Sequence, residues 1–181
     1  MNLVFLLEEE STKYLLDILL PQILPEGVYH RTIPHNGKSA LRLSIMNKLK
    51  AWKTPDTRFV IVQDQDSNDC VLLKREIEKL CEESEHHPLI RIACHEMEAW
   101  YFGDLKAVSQ AYEKDFTYLS RKSKYRDPDA IPHPKKELRK LIPEHEQIAG
   151  AKRIGPFMDI NHNTSHSFNV LIKGIREIAA Q

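Results

Sequence analysis

Residues 58–70, RFVIVQDQDSNDC, decide the fold class, because they join the most strand-like run of the chain directly to a series of acidic side chains. Phe59 to Val62 form an uninterrupted apolar run, which is typical of a strand buried on both faces. Asp64 and Asp66 follow at once, and residues two apart in an extended chain point the same way. The segment therefore predicts a central strand that ends in a pair of carboxylates.

Strand-like and helix-like segments alternate on either side of this stretch. The apolar patterns predict strands at 2–8, 27–35, 58–64 and 88–96, and amphipathic helices at 11–24, 36–53, 69–84 and 96–114. Four such alternations favour a mainly parallel sheet of four to five strands with helices on both faces. The length of 181 residues suits one domain, 1–181. Its last third, about 117–181, reads as irregular and loop-rich, with helices near 135–142 and 166–180.

The composition is that of an ordinary globular protein, 41% hydrophobic and 29% charged. Lys+Arg and Asp+Glu number 26 each, but basic residues are dense at 121–126 and 133–140, so nucleic acid is not excluded. Three cysteines without a CxxC spacing favour a reducing compartment over a disulfide framework or a structural zinc site. With no membrane-length apolar run and no basic leader before the acidic residues 8–10, we expect a cytoplasmic protein without a membrane association.

Acidic side chains end three of the four predicted strands. The carboxyl ends of parallel strands meet at one edge of a sheet, where ligands bind. Carboxylates brought together there repel one another unless a cation compensates, and hard oxygen ligands suit Mg²⁺ or Mn²⁺. We therefore expect a metal site at this edge, with five candidate ligands: Glu8, Asp64, Asp66, Glu96 and Glu98.

Structural alternatives exist for several of these acids. Asp66 or Asp69 is an equally good cap for the third helix. Glu9 and Glu10 suit a solvated first helical turn, where the helix dipole favours negative charge. Glu96 and Glu98 share a face only if the fourth strand persists through Glu98. His35 and His95 lie beside these motifs and could orient a carboxylate or a phosphate.

Seven stretches spread over nearly the whole chain resemble the bacterial family catalogued as domain of unknown function 4276, a Toprim-like family. These are LLEEEST (6–12), HNGKSAL (35–41), RFVIVQDQDSNDC (58–70), RIACHEMEAWYFGD (91–104), PDAIPHPKKEL (128–138), GAKRIGPFMD (150–159) and SHSF (165–168). The resemblance implies a Toprim-like, Rossmann-like three-layer sandwich. Glu8 matches the Toprim glutamate, although relatives carry glycine where this chain has Glu9, and Asp64 and Asp66 match the Asp-x-Asp pair.

The resemblance also implies metal-dependent phosphodiester chemistry, in which cations hold the attacking and leaving oxygens. Glu8 would serve as general base or ligand, and Asp64 and Asp66 would hold Mg²⁺ or Mn²⁺. For contacts to the phosphate we favour Lys152 and Arg153, in a glycine-bounded loop that could fold over the site. Lys38, beside a helix N-terminus, is a further candidate.

The most direct hypothesis for the function is a nuclease that acts on DNA or RNA. Small Toprim-like proteins of this sort resemble components of antiviral defence against phage, and the nuclease could act in such a defence. The alternative is a non-catalytic or partner-activated subunit that works beside an ATPase. A third hypothesis is an enzyme that acts on small phosphorylated molecules.

Overall fold

A computed structural model describes residues 1–181 and contains one four-stranded sheet. The strands are β1 (Asn2–Leu7), β2 (Tyr29–Pro34), β3 (Thr57–Asp64) and β4 (Leu89–Ala93), in the order β2-β1-β3-β4. All three strand pairs are parallel. This sheet confirms the predicted α/β class.

Eight α-helices surround the sheet. They are α1 (Glu10–Ile23), α2 (Gly37–Ala51), α3 (Cys70–Cys81), α4 (Ala99–Phe102), α5 (Leu105–Tyr112), α6 (Pro134–Leu141), α7 (Gln147–Ile154) and α8 (His166–Ala179). Short 3-10 helices lie at Thr117–Arg121, Ser123–Tyr125, Pro128–Ala130 and Gly155–Phe157. None of the helices combines the length and the apolar character that crossing a bilayer requires.

The two faces of the sheet carry separate apolar clusters, because side chains of a strand alternate between faces. Leu3, Phe5 and Leu7 of β1 pack with α1 and with helices of the last third of the chain. Val4 and Leu6 of the same strand pack with α2 and α3. The buried clusters on both faces confirm the three-layer arrangement.

The structure departs from the sequence prediction in two places that matter for the site. Strand β4 ends at Ala93, and His95 adopts a left-handed backbone with φ 55°, so Glu96 and Glu98 do not share a strand face. Residues 147–154 form helix α7, where a glycine-bounded loop was expected. The periodic pattern was hidden there because the helix spans only eight residues and contains a glycine.

The order of the strands in the sheet shows where a ligand site is expected. The chain leaves β1 for β2 on one side, crosses back to β3 on the other side and then continues to β4. Strands β1 and β3 therefore flank the point where the winding reverses, which is the crevice that ligands favour in open α/β sheets. Glu8 follows the last residue of β1, and Asp64 is the last residue of β3.

Candidate functional site

Glu8 and Asp64 lie side by side at the carboxyl edge of the sheet. The backbone amide of Asp64 donates a hydrogen bond to Glu8 Oε2 at 3.1 Å. Both residues are buried. Burial raises the pKa of Glu8, and the hydrogen bond from Asp64 offsets part of that rise because it favours the charged carboxylate.

Glu98 is the second buried acid beside Asp64. Its side chain is 1% exposed, and its Oε1 has no hydrogen-bond partner. Burial raises the pKa of Glu98 to about 7, against the opposing field of Lys135. Burial also raises the pKa of Asp64 well above its ordinary value, and the negative charges of Glu98 and Glu8 add to that rise. Burial and the neighbouring negative charges therefore favour the protonated forms of these carboxyls, in spite of Lys135.

Asp66 lies at the rim of this group. Its backbone is left-handed, with φ 52°, so its side chain does not continue the alternation of β3 as the extended pattern implied. The Asp66 carboxylate forms an ion pair with Lys38 at 2.9 Å, and both side chains are about half exposed. Asp66 remains close enough to Glu8 to raise the pKa of that carboxyl.

The turn that follows β3 is fixed by contacts with the end of β4. The Asp66 amide donates to the His95 carbonyl at 2.7 Å, and His95 Nδ1 hydrogen-bonds to the Asp66 carbonyl at 3.2 Å. Asp69 then caps α3, since its carboxylate accepts from the Leu72 amide at 2.8 Å. Of the two residues considered as helix caps, Asp69 therefore has that role and Asp66 does not.

Lys135 is the cation of the site, and sequence reasoning missed it. Its side chain is mostly buried, with the ammonium 3.7 Å from Glu9 Oε1. Burial lowers the pKa of Lys135, but the fields of the surrounding acids outweigh it and leave that pKa above its ordinary value; the acids are Glu98, Glu9, Glu96 and Asp64. The dense basic run at 133–140 was the available signal, but it gave no indication that one lysine points inward.

Glu9 and Glu96 form hydrogen bonds that connect the segments around Lys135. Glu9 Oε2 accepts a hydrogen bond from Gln147 at 2.7 Å, so Glu9 is not the solvated helix charge that the sequence favoured. Glu96 Oε2 accepts the backbone amide of Lys135 at 2.8 Å. Glu9 and Glu96 thereby join α1 and the segment after β4 to α7 and α6.

Lys152 and Arg153 contact other parts of the molecule. The Lys152 ammonium lies 3.9 Å from the centre of the Tyr14 ring. Arg153 Nε donates to the Ala111 carbonyl at 2.6 Å, and its guanidinium lies over Tyr112. Neither forms a hydrogen bond or an ion pair with the acids of the site, so the structure does not bring these two predicted phosphate ligands to Glu8 and Asp64.

His35 has a different neighbour from the one expected. Its Nδ1 hydrogen-bonds to the Leu7 carbonyl at 2.8 Å, and its Nε2 to Ser44 Oγ. Burial lowers the pKa of His35. This histidine ties the end of β1 to α2 and orients no carboxylate.

The donor chemistry of this edge fits a hard divalent cation. Buried carboxylates are the ligands that Mg²⁺ and Mn²⁺ prefer, and the partnerless Oε1 of Glu98 is a buried acceptor that a cation would satisfy. No three His, Cys, Asp or Glu side chains are arranged as a finished coordination set. Binding would therefore require the carboxylates to move toward one another.

Comparisons with known proteins identify a family without an assigned activity. No curated protein and no solved structure matches the chain. The likeness to the Toprim domain and the metal-dependent chemistry that it implies thus stay predictions. A family model described as "Domain of unknown function (DUF4276)" matches residues 7–176, and the chain belongs to that family.

Proposed function

We propose that the protein hydrolyses phosphodiesters with the help of Mg²⁺ or Mn²⁺, bound at the carboxyl edge of the sheet. One observation carries the proposal: Asp64 and Glu98 are both buried, the negative charge of Glu98 raises the pKa of Asp64, and Glu98 Oε1 has no hydrogen-bond partner. Burying such carboxylates close together costs free energy, and a bound divalent cation offsets this cost because it removes the repulsion between them.

Asp64, Glu98 and Glu8 are the residues that would hold the cation, with Asp66 as a further ligand once it leaves Lys38. The cation would polarise the phosphodiester and lower the pKa of a bound water. The Glu8 carboxylate accepts a hydrogen bond from the Asp64 amide, and this bond fixes the orientation of the carboxylate for binding a cation or for accepting a proton. Burial of these groups strengthens each electrostatic contact with a substrate.

Lys135 takes the role of phosphate ligand in this proposal. Its ammonium lies among the acids, and their negative charge keeps it protonated. A lysine ammonium can neutralise a phosphate oxygen as a point charge. Lys38 at the start of α2 is the second basic side chain at the rim. Lys135 thus joins Lys38 as a proposed phosphate contact, in place of Lys152 and Arg153.

The test is cation binding and cleavage measured on the same variants. We expect the parent to bind Mn²⁺ in calorimetry and to cleave bis(p-nitrophenyl) phosphate or a nucleic acid. Asp64→Asn and Glu98→Gln should each weaken Mn²⁺ binding at least tenfold and lower the cleavage rate at least a hundredfold. Asp69→Asn is the matched control, since Asp69 lies in the same loop but caps α3.

Cleavage that persists in Asp64→Asn and Glu98→Gln would overturn the proposed site. Because a substitution in a buried cluster can alter folding, the unfolding temperature of each variant is measured without metal. Loss of activity without a lowered unfolding temperature then reports the site itself.

A partner-activated subunit is the second candidate function, and the Lys38–Asp66 ion pair favours it. This pair occupies one of the predicted ligands, so a rearrangement is needed before Asp66 can contact a cation. An ATPase is the partner that we propose for such a rearrangement. A parent protein that binds Mn²⁺ but cleaves no diester, together with tighter Mn²⁺ binding by Lys38→Met, would support this second function over a constitutive nuclease.

A further inference from the structure

The charge of this neutral chain is distributed unevenly. Residues 121–140 contain eight Lys or Arg and only three Asp or Glu, whereas the whole chain has 26 of each kind. Seven of these basic residues are exposed, and together they form what we term the basic surface: Arg121, Lys122, Lys124, Arg126, Lys136, Arg139 and Lys140.

Of the three acids of this stretch, only Glu137 forms ion pairs with the basic surface, to Lys124 and Lys140, and each of the three has a structural role. Glu137 is buried and accepts from the Tyr125 hydroxyl at 2.7 Å. Asp129 accepts from the Ser165 and Ser167 side chains and so anchors the start of α8. Asp127 caps its own 3-10 turn through the Asp129 amide.

Glu137 also joins the two parts of the basic surface. Its carboxylate contacts Lys124 at 2.5 Å from the 3-10 segment and Lys140 at 3.2 Å from α6. Hydrogen bonds from both lysines and from Tyr125 overcome the effect of burial and lower the pKa of Glu137 to about 2. Glu137 thus connects the 3-10 segment with α6, the two parts of the chain that carry the basic surface.

The basic surface leads directly to the acidic edge. A cleft of about 300 Å³ is lined by Glu96, His133, Lys135, Lys136 and Arg139. Lys135 faces the acids on the inner side of α6, while Lys136 and Arg139 are exposed on the outer side. An extended polyanion that follows the cleft would pass from the exposed cations Lys136 and Arg139 to Lys135.

An exposed aromatic ring lies beside Lys122 of the basic surface. Tyr118 is 46% exposed, and the Lys122 ammonium lies 5.1 Å from its ring centre. Tyr118 is also close to Tyr125, whose pKa it helps to raise after the larger effects of burial and Glu137. An exposed aromatic ring beside a cation that forms no ion pair is the arrangement by which proteins stack an unpaired base and hold its phosphates.

We propose that the basic surface binds single-stranded nucleic acid, with phosphates on Lys122, Arg126 and Lys136 and a base on Tyr118. The inference rests on the proposed function in one respect, that the bound strand continues to Lys135 as the substrate. It commits to a single strand because stacking on Tyr118 requires a base that is not paired within a duplex.

The experiment measures fluorescence anisotropy of a labelled 20-nucleotide single strand in EDTA, between 50 and 200 mM NaCl. The triple variant Lys122→Gln, Arg126→Gln, Lys136→Gln removes three cations that form no ion pair in the structure. We expect its affinity to fall at least tenfold, and the slope of log affinity against log salt to decrease by about 2 in magnitude, since each single-strand phosphate contact contributes about 0.7.

Tyr118→Ala should lower the affinity about tenfold and leave the salt slope unchanged, because stacking releases no counterions. The matched control is Lys53→Gln, Arg75→Gln, Lys79→Gln, which removes the same number of exposed cations from another part of the surface. We expect this control to bind like the parent.

Equal losses in the two triple variants, or no loss in either, would overturn the inference. Duplex binding as tight as single-strand binding, together with a neutral Tyr118→Ala, would also overturn it. Hydrolysis of bis(p-nitrophenyl) phosphate by the parent is measured separately with Mn²⁺. A parent that binds the single strand as expected but cleaves no diester would contradict the proposed function and still support nucleic-acid binding by the basic surface.

Discussion

The backbone amide of Lys135 donates a hydrogen bond to the Glu96 carboxylate at 2.8 Å, and this contact docks the first turn of α6 against the end of β4. Amides in the first turn of a helix have no partner within the helix, so an acid from elsewhere in the chain satisfies one of them. The same docking directs the Lys135 ammonium toward Glu9 and the buried acids. A single helix start therefore supplies both an anchor and a counter-charge.

Replacing Lys135 with methionine should lower the free energy of unfolding at pH 8 by about 2 kcal/mol, because it leaves buried carboxylates without their cation. The loss should shrink at pH 5, where those carboxyls bind protons instead. Urea unfolding at both pH values measures the difference. Lys136→Met, the exposed neighbour on the same helix, should change stability by less than about 0.5 kcal/mol, and an equal loss there would contradict the assigned role of Lys135.

Stability should fall as the pH rises through neutrality. Burial holds the pKa of Glu98 at about 7 in the folded state, against an ordinary value of 4.5. The folded protein therefore binds a proton that the unfolded chain releases, so this stabilisation is full below about pH 4.5 and is lost as the pH rises through 7. The full change corresponds to about 3 kcal/mol.

Glu98→Gln keeps the shape of the side chain and removes its titration. We expect the variant to be more stable than the parent at pH 8 and to show a flatter stability profile between pH 5 and 8. Urea unfolding across this range is the measurement, with the exposed Glu82→Gln as the control. A variant with the same profile as the parent would show that Glu98 is not the group that titrates.

Lys38→Met should increase the affinity for Mn²⁺ a few-fold, because it frees the Asp66 carboxylate from its ion pair. Stability should change by less than about 1 kcal/mol, since exposed ion pairs contribute little. Calorimetric titration with Mn²⁺ gives the affinity. The matched control is Lys50→Met, which breaks a similarly exposed pair with Glu83 away from the site, and it should bind Mn²⁺ like the parent.

Gly150→Ala should destabilise the protein although alanine is the better helix former. An added Cβ at this position would lie 2.1 Å from His145 Cε1. His145 cannot easily move, because it is buried and its Nδ1 hydrogen-bonds to the Tyr112 hydroxyl at 2.7 Å. We expect a net loss of about 1–2 kcal/mol, from overpacking less the gain in helix propensity.

The neighbouring Ala149→Gly provides the comparison for Gly150→Ala. Ala149 is exposed on the same helix, so this change should cost about 1 kcal/mol through propensity alone. Thermal unfolding of both variants separates crowding from propensity. A Gly150→Ala variant that is more stable than the parent would contradict the close packing of His145 against Gly150 of α7.

The four strands and the position of Glu8 and Asp64 at the ends of two of them could be predicted from sequence, because buried strands have continuous apolar runs and their ends carry visible charges. The direction of Asp66 could not, since it depends on a left-handed turn that pairs with His95 across two strands. Lys135 was missed for a similar reason. Its neighbours in sequence are exposed cations, and only the docking of α6 separates it from them.

Docking of α6 has a consequence for the order in which the chain matures. Asp64 and Glu98 are both present once the first hundred residues exist, but Lys135, whose positive charge opposes the rise in their pKa, arrives only with α6. The first hundred residues thus lack the positive charge that α6 brings to these acids, and the buried cluster around α1 is completed by α8. Ligand-binding competence and completion of the fold should therefore be reached in the same late step.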